Sequence, residues 1–334
     1  TFIKSVIINI ILSQTVGICS AEKFEITPFN MIETYLHIPD SKGISSLFEF
    51  YVGQDLKNVE MNVIYISQGG IGLPNKDYYT SSDKSEIYNS YKNYIYEVLT
   101  IAKIEDPKIK AESITTFESM MAKAMMTPSE LRVPENTYNK FVFDDVDNNY
   151  KNLKLETYIS QIGLQQPRKL ELIVGQVDFF KQINAMLENV TLEEWKNYLL
   201  WNVLNHYASS LNKEMVYANF NFYGKVLTGK TQMKPIQEQA IKAITNSEIS
   251  ELLGKVFVGR HFSETARDRV NEMVDNLLSV FESRINNLDW MTETTKIEAK
   301  MKLKAIGRKL GYPSKYEDFS SLNFSATDLI ENNR

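Results

Sequence analysis

Residues 253–316, LGKVFVGRHFSETARDRVNEMVDNLLSVFESRINNLDWMTETTKIEAKMKLKAIGRKLGYPSKY, decide the fold. Ala266, Val270, Met273, Val274, Leu277, Leu278, Phe281, Ile285 and Leu288 recur at three- and four-residue steps. That spacing draws one apolar stripe along a helix of about 3.6 residues per turn. Ser263 is placed to cap it, because its hydroxyl can accept from a free N–H of the first turn. Asp289, Trp290 and Met291 form a corner, with the Trp290 ring expected to pack there, and Thr292 can cap a second helix. In that helix Ile297, Met301 and Ile306 are expected to face inward. Lys300, Lys302, Lys304, Arg308 and Lys309 place positive charge toward its C-terminal end, where the macrodipole favours cations. Gly311 suits the left-handed conformation after a helix, and Pro313 prevents continuation.

Outward from this pair the pattern stays helical. Helices are expected over Lys84–Ile104, Pro107–Met126, Leu155–Ile162, Leu170–Leu187, Leu192–Leu211 and Pro235–Phe257, with breaks at Pro128, Pro134, Pro167 and the polar Asp144–Asn152 run. Thr191, followed by Glu193 and Glu194, has the makings of a helix start. The segment 47–67 differs. Leu47–Val52 and Met61–Ile66 are rich in β-branched and aromatic residues, with polar Gly53–Val59 between them, so a short antiparallel β-hairpin is expected, the one β element of a mainly α chain. A glycine-rich loop, SQGGIGLPNKDYY, follows at 67–79. A further short helix is expected over Glu25–Gly43. Nothing marks a domain boundary after about Asp83, so residues 25–334 read as one large multi-helix lobe.

Composition is that of a globular protein, 43% hydrophobic and 24% charged, and 334 residues suffice for a large core. A net charge of −5 gives no electrostatic case for nucleic acid. The one cysteine, Cys19, forms no intrachain disulfide. In residues 1–24, Lys4 precedes an apolar run, Ser5–Leu12, and Cys19-Ser20-Ala21 offers small residues for cleavage. This is either a signal-like leader or a packed segment of a chain that starts earlier; the run is too short to span a bilayer.

The rarer residues carry a family resemblance. G-x-V-F-V-x-x-H-F at Gly254–Phe262, L-D-W-M at Leu288–Met291 and K-L-x-A-I-x-x-K-L-G-Y-P at Lys302–Pro313 resemble the N-terminal, non-catalytic helical lobe of neprilysin-like zinc metallopeptidases. That family includes neprilysin, endothelin-converting enzyme and bacterial oligoendopeptidase O. G-x-D-x-K-N at Gly53–Asn58, Q-G-G-x-G-L-P-x-x-D-Y-Y at Gln68–Tyr79, P-E-x-T-Y-N at Pro134–Asn139, E-E-W-K-x-Y-L at Glu193–Leu199 and F-x-F-Y-G-K-x-L-x-G at Phe220–Gly229 extend it over about Phe48–Leu322. Three departures stand out: Lys76 where the family usually has arginine, Pro235-Ile236-Gln237-Glu238 in place of an Arg/Trp-rich helix start, and no clear match before Phe48. The resemblance implies a lobe that faces a catalytic lobe across a closed cavity, excludes large proteins and admits peptides. Its implied partners are thus a C-terminal catalytic lobe and peptide substrates. It also implies an extracytoplasmic setting, whether periplasmic, secreted or as a membrane-anchored ectodomain.

The family's chemistry requires H-E-x-x-H on a helix, two histidines one turn apart on one zinc ion, and a glutamate that activates the bound water. In the family this lies downstream of the region matched here. The chain has only His37, His206 and His261, none paired, so zinc is expected in the complete enzyme and not in this chain, and no catalytic, cofactor or metal residue is assigned. His261 reads as a packing or capping residue. Gly224–Thr231 satisfies G-x-x-x-x-G-K-[ST], the phosphate-cradling loop of nucleotide hydrolases, but only a half-polar stretch precedes it, and Pro235 falls where its helix would run. A free-standing helical binding module is the other alternative. Asp144, Asp145, Asp147 and Asn149 lack the glycine and terminal glutamate of a calcium loop and read as a solvated connector. Asn189-Val190-Thr191 and Asn323-Phe324-Ser325 are glycosylation sequons, meaningful only in a eukaryotic secretory setting.

Overall fold

The computed structural model describes residues 47–161, 170–247, 249–325 and 332. Residues 1–24, read as a signal-like leader or a truncated start, the helix expected over Glu25–Gly43, Cys19 and His37 lie outside them. The chain is mainly helical and gathers into two compact units, one reaching Met233 and the other spanning Lys234–Phe324.

In the first unit β1 (Phe48–Asp55) and β2 (Asn58–Gln68) pair antiparallel as expected, from Phe48 opposite Gln68 to Asp55 opposite Asn58. After them come α1 (Ser85–Ile101), α2 (Pro107–Lys123), β3 (Asn139–Val142), α3 (Phe143–Asn149), α4 (Leu155–Gln161), β4 (Glu171–Val174), α5 (Val177–Asn189), α6 (Leu192–Tyr207) and α7 (Lys213–Asn219).

The hairpin is not the only β structure. β4 joins β2 in parallel, with Ile64 opposite Leu172 and Ile66 opposite Val174, and β3 closes the far edge antiparallel, giving the order β1-β2-β4-β3. The helix expected over Leu170–Leu187 is therefore a strand followed by a helix. An apolar run such as Leu172-Ile173-Val174 reads equally as helix or strand. Burial on both sides explains its composition, as parallel pairing demands. Ile64, Ile66, Leu172 and Val174 enter the main core, while Val63, Tyr65 and Ile173 pack with Tyr138 on the other face.

The main core continues through Phe117, Phe179, Phe180, Trp195 and Tyr198, and a second cluster joins α1, α2, α6 and α7 around Tyr91, Ile95, Leu99, Ile114 and Trp201. The Asp144–Asn152 connector is instead largely the helix α3. Phe143 and Val146 are buried, and Asp144 and Asp145 occupy its first turn, where the dipole favours acids. Thr191 makes a full capping box with Glu194 at the start of α6.

The second unit holds α8 (Ile236–Thr245), α9 (Ser250–His261), α10 (Glu264–Asn286) and α11 (Glu293–Lys304). The single helix expected over Pro235–Phe257 is broken in two. Thr245 Oγ1 donates to the Lys242 carbonyl at 2.9 Å and Ser247 Oγ to that of Ile244 at 2.7 Å, local bonds that compete with helix continuation. α10 and α11 form the expected hairpin. The Ser263 hydroxyl accepts from the Ala266 amide at 3.2 Å and that of Thr292 from the Thr295 amide at 3.3 Å. Arg308 pairs with Asp275, Lys300 Nζ donates to Asn286 Oδ1 at 3.0 Å, and the Arg267 guanidinium lies 4.8 Å from the Tyr312 ring centre. Gly311 has φ +80°, and a β-carbon there would also approach the Phe262 ring to 2.9 Å.

Candidate functional surface

Among the described residues, no group of three or more His, Cys, Asp or Glu side chains is gathered as a metal site. His206 ends α6 with its ring edge-on to Tyr207, and burial lowers its pKa. His261 ends α9 against Phe257. Neither histidine belongs to a ligand set, so the described residues do not fit a zinc ion.

The Gly224–Thr231 pattern is likewise no nucleotide site. Residues Phe220–Val226 form a π-helical turn, not a strand. A phosphate loop needs free backbone N–H groups aimed at the ligand. Here the amides of Leu227, Gly229 and Lys230 donate to the carbonyls of Phe222, Lys225 and Gly224 at 2.9, 3.0 and 2.9 Å. The Thr228 hydroxyl is bonded to Gly224 O at 2.8 Å. The motif is a helix end.

Two features are built with more purpose. The first fixes the glycine-rich loop of the first unit. Gln68 exchanges side-chain bonds with both backbone groups of Met126, Tyr198 Oη donates to Gly70 O at 2.7 Å, and Tyr223 Oη to Gly72 O at 3.0 Å. Lys76 Nζ donates to Met125 O at 2.8 Å, a single bond where a guanidinium would offer a fork. Beneath the loop Glu118 is 1% exposed, taking Tyr79 Oη on one oxygen at 2.6 Å and Tyr91 Oη on the other at 3.0 Å. Trp201 Nε1 donates in turn to Tyr91 Oη at 2.8 Å. Burial raises the Glu118 pKa to about 7 against the pull of its donors, and burial likewise pushes Tyr79 and Tyr91 well up. Gly72 lies against the Tyr91 hydroxyl where no side chain fits. This network is a scaffold, because every polar group faces another protein group.

The second feature is apolar. On α10 Val270, Val274 and Leu278 are half-buried and Ile285 is buried, whereas Met273, Leu277, Val280 and Phe281 are exposed at 55–61%. The stripe thus splits into a half that packs and a half that does not. Ile297 and Met301 are exposed and not inward-facing, Leu303 being the buried residue of α11, and Ile306, also exposed, lies beyond the helix, which ends at Lys304. Trp290 is 73% exposed and does not fill the corner. The physical reason is geometric: a two-helix hairpin has one shared face, so apolar residues elsewhere on either helix stay outside. Ile236, Ile241, Val256 and Phe257 add to the exposed apolar area on α8 and α9. Exposed apolar surface in this quantity marks an interaction surface, and periodicity alone could not place it, since both halves of the stripe obey the same spacing.

Known proteins extend this picture. The chain is 25% identical over 278 residues to a neutral endopeptidase of Lactobacillus helveticus, covering 82% of this chain and 42% of that protein. It is 26% identical over 280 residues to endothelin-converting enzyme 1 of Homo sapiens, covering 81% and 36%. The cryo-EM structure of the Mycobacterium tuberculosis zinc metalloprotease Zmp1 in its open state superposes with a TM-score of 0.80 at 25% identity, over 99% of this chain and 51% of that one. The chain thus spans about half or less of the length of the relatives it matches. The model of peptidase family M13 matches residues 8–313, including ground before Phe48 where the motifs gave no match. The matched model is that of the N-terminal region of these peptidases, and the chain belongs to peptidase family M13.

Proposed function

We propose that this chain is the non-catalytic lobe of a zinc-dependent metalloendopeptidase that acts on peptides. It supports a C-terminal catalytic lobe, which holds the zinc, and restricts the size of substrates that enter. The observation that carries the reading is the exposed apolar surface of α10 and α11, Met273, Leu277, Val280 and Phe281 on the one and Ile297 and Met301 on the other, in a chain of family M13. A free-standing binding module has no need of so much uncovered apolar area. Membership of peptidase family M13 supports the extracytoplasmic location that the motif resemblance implies.

Zinc analysis and peptide-cleavage assays on the chain alone, and on the chain joined to a family M13 catalytic lobe, test the proposal. The chain alone is expected to hold no stoichiometric zinc and cleave no peptide. The joined protein is expected to show chelator-sensitive cleavage of short peptides and to spare folded proteins. Stoichiometric zinc with chelator-sensitive cleavage by the chain alone would overturn the reading.

A further inference from the structure

We propose that residues Ile71–Asn75 of the glycine-rich loop form a proton-dependent latch, closed over a protonated Glu118 and lifted when that side chain ionises. The device lies wholly in the first unit and needs no catalytic lobe. Glu118 stands on α2, 1% exposed, and the groups bonded to it are neutral. Tyr79 Oη gives its hydrogen to one carboxyl oxygen at 2.6 Å and Tyr91 Oη to the other at 3.0 Å. The Gly72 amide and the Trp201 indole pull the same way, and Tyr198 of α6 and Tyr223 of the π-helical turn face it from farther off. Burial holds all four phenols neutral. Lysines of the same elements are engaged elsewhere: Lys76 on Met125 O, Lys92 of α1 with Glu112, and Lys110 of α2 with Glu193 of α6. An ionised Glu118 is thus a buried charge with dipoles around it and no counter-ion bonded to it, which costs more than the neutral acid.

The loop is held at two ends and rests on the network between them. Gln68 is tied to Met126 by its side chain, and its amide donates to Gln176 Oε1 at 2.6 Å. Tyr198 Oη holds Gly70 O, and Gly70 takes φ +80°, a conformation open to glycine. Lys76 Nζ on Met125 O fixes the far end. Between these anchors the Leu73 amide donates to Tyr79 Oη at 3.1 Å, Gly72 lies against the Tyr91 hydroxyl, and Tyr223 Oη donates to Gly72 O at 3.0 Å. Lifting Ile71–Asn75 breaks the Leu73 and Tyr223 bonds and uncovers both phenols that hold the carboxyl, so water reaches Glu118. One proton then passes from Glu118 to water, and the carboxylate is solvated. The Leu73 side chain, buried in the closed loop, favours closure, so the open form is a minor state whose population follows pH. Burial raises the Glu118 pKa from 4.5 to about 7 in the closed form, so closure is strongest below 4.5 and weakens as pH rises through about 7.

The Leu73 amide is the reporter, because its bond to Tyr79 exists only in the closed loop. The test is hydrogen exchange of the full chain, followed by NMR across both pH values and corrected for the intrinsic exchange rate. Opening at Leu73 is expected to rise by up to about 300-fold from below 4.5 to above 7, the ratio set by a shift of this size, while Ile64–Ile66 in the sheet stay protected. Glu118→Gln keeps a neutral side chain of the same shape and is expected to show no pH step. Gly72→Ala sets a β-carbon against the Tyr91 hydroxyl. In that variant Leu73 is expected to exchange fast at every pH, without the step, while the sheet stays protected. In the parent chain the carbon-13 resonance of the Glu118 carboxyl, which requires no variant, is expected to titrate near 7. No step at Leu73, a step that survives in either variant, or a carboxyl that titrates near 4.5 would overturn the latch. So would a step shared equally by the sheet, which would show loss of global stability and not opening of the loop.

Discussion

The two units have similar amphipathic helices and opposite fates for their apolar faces. In the first, Phe117 lies 4.7 Å from Trp195 and 4.2 Å from Tyr198, centre to centre, and all three are fully buried. In the second, only Ile285 and Leu303 are buried among the apolar residues of its four helices. The first unit has helices on several sides of each apolar face. The second has helices in pairs, each pair sharing one face. Amphipathic periodicity records that a face is meant to be covered, and it does not record which chain segment covers it.

The largest effect expected concerns the filled core. Trp195→Ala or Phe117→Ala should cost about 3–5 kcal/mol, measured by reversible urea unfolding. A loss below about 1 kcal/mol would erase the contrast between the units.

Next comes the carboxylate under the glycine-rich loop. Glu118→Ala leaves the Tyr79 and Tyr91 hydroxyls without their acceptor and should cost about 2–4 kcal/mol. Because burial raises the Glu118 pKa from 4.5 to about 7, the folded chain holds this proton more tightly than the unfolded one. Its contribution is thus fully present below the unfolded value and is lost as pH rises through about 7. Relative to Glu118→Gln, the parent chain should lose up to roughly 3 kcal/mol between those limits. A stability difference independent of pH over that range would show that Glu118 is not desolvated.

Trp290 sharpens the comparison from the other side. With its ring exposed, Trp290→Ala should change the stability of this chain by less than about 1 kcal/mol. The pair Met273→Ser and Leu277→Ser should be similarly silent here, yet weaken association with a catalytic lobe. A large stability loss in the isolated chain would mean that the second unit already covers that face.

The smallest effect expected is at Lys230. Its backbone amide closes a helix end, so Lys230→Ala should leave unfolding unchanged, and calorimetry with a nucleoside triphosphate and magnesium should show no heat of binding. Micromolar affinity lost in that variant would reinstate a phosphate loop.

Features settled by local chemistry were legible in the sequence. The Ser263 and Thr292 caps and the Thr191 capping box all involve partners within a few residues, whereas Gly311 takes the expected left-handed φ without ending the helix, since α11 stops at Lys304. The sheet was legible only in its hairpin, since β4 meets β2 from across the chain and its short apolar run carries no periodicity of its own. The Glu118 network was missed because Tyr79, Tyr91 and Trp201 are scattered. A signal was present nonetheless: Glu118 falls four residues after Ile114 and three before Met121, on the apolar side of α2, where a carboxylate must be buried and bonded. The exposed half of the α10 stripe was invisible, as pattern alone cannot tell a packed face from a waiting one.

The parallel register of β2 on β4 also sets a schedule for biosynthesis. Ile64–Ile66 can find Leu172–Val174 only once the intervening helices have left the ribosome, so this contact has high sequence separation and forms late. Until then the β1–β2 ribbon has one flank of unpaired backbone groups beside Val63, Ile64, Tyr65 and Ile66, a template for pairing with another nascent chain. Slowing elongation ahead of Glu171 should lengthen that exposure and raise aggregation, whereas a pause after Val174 should not.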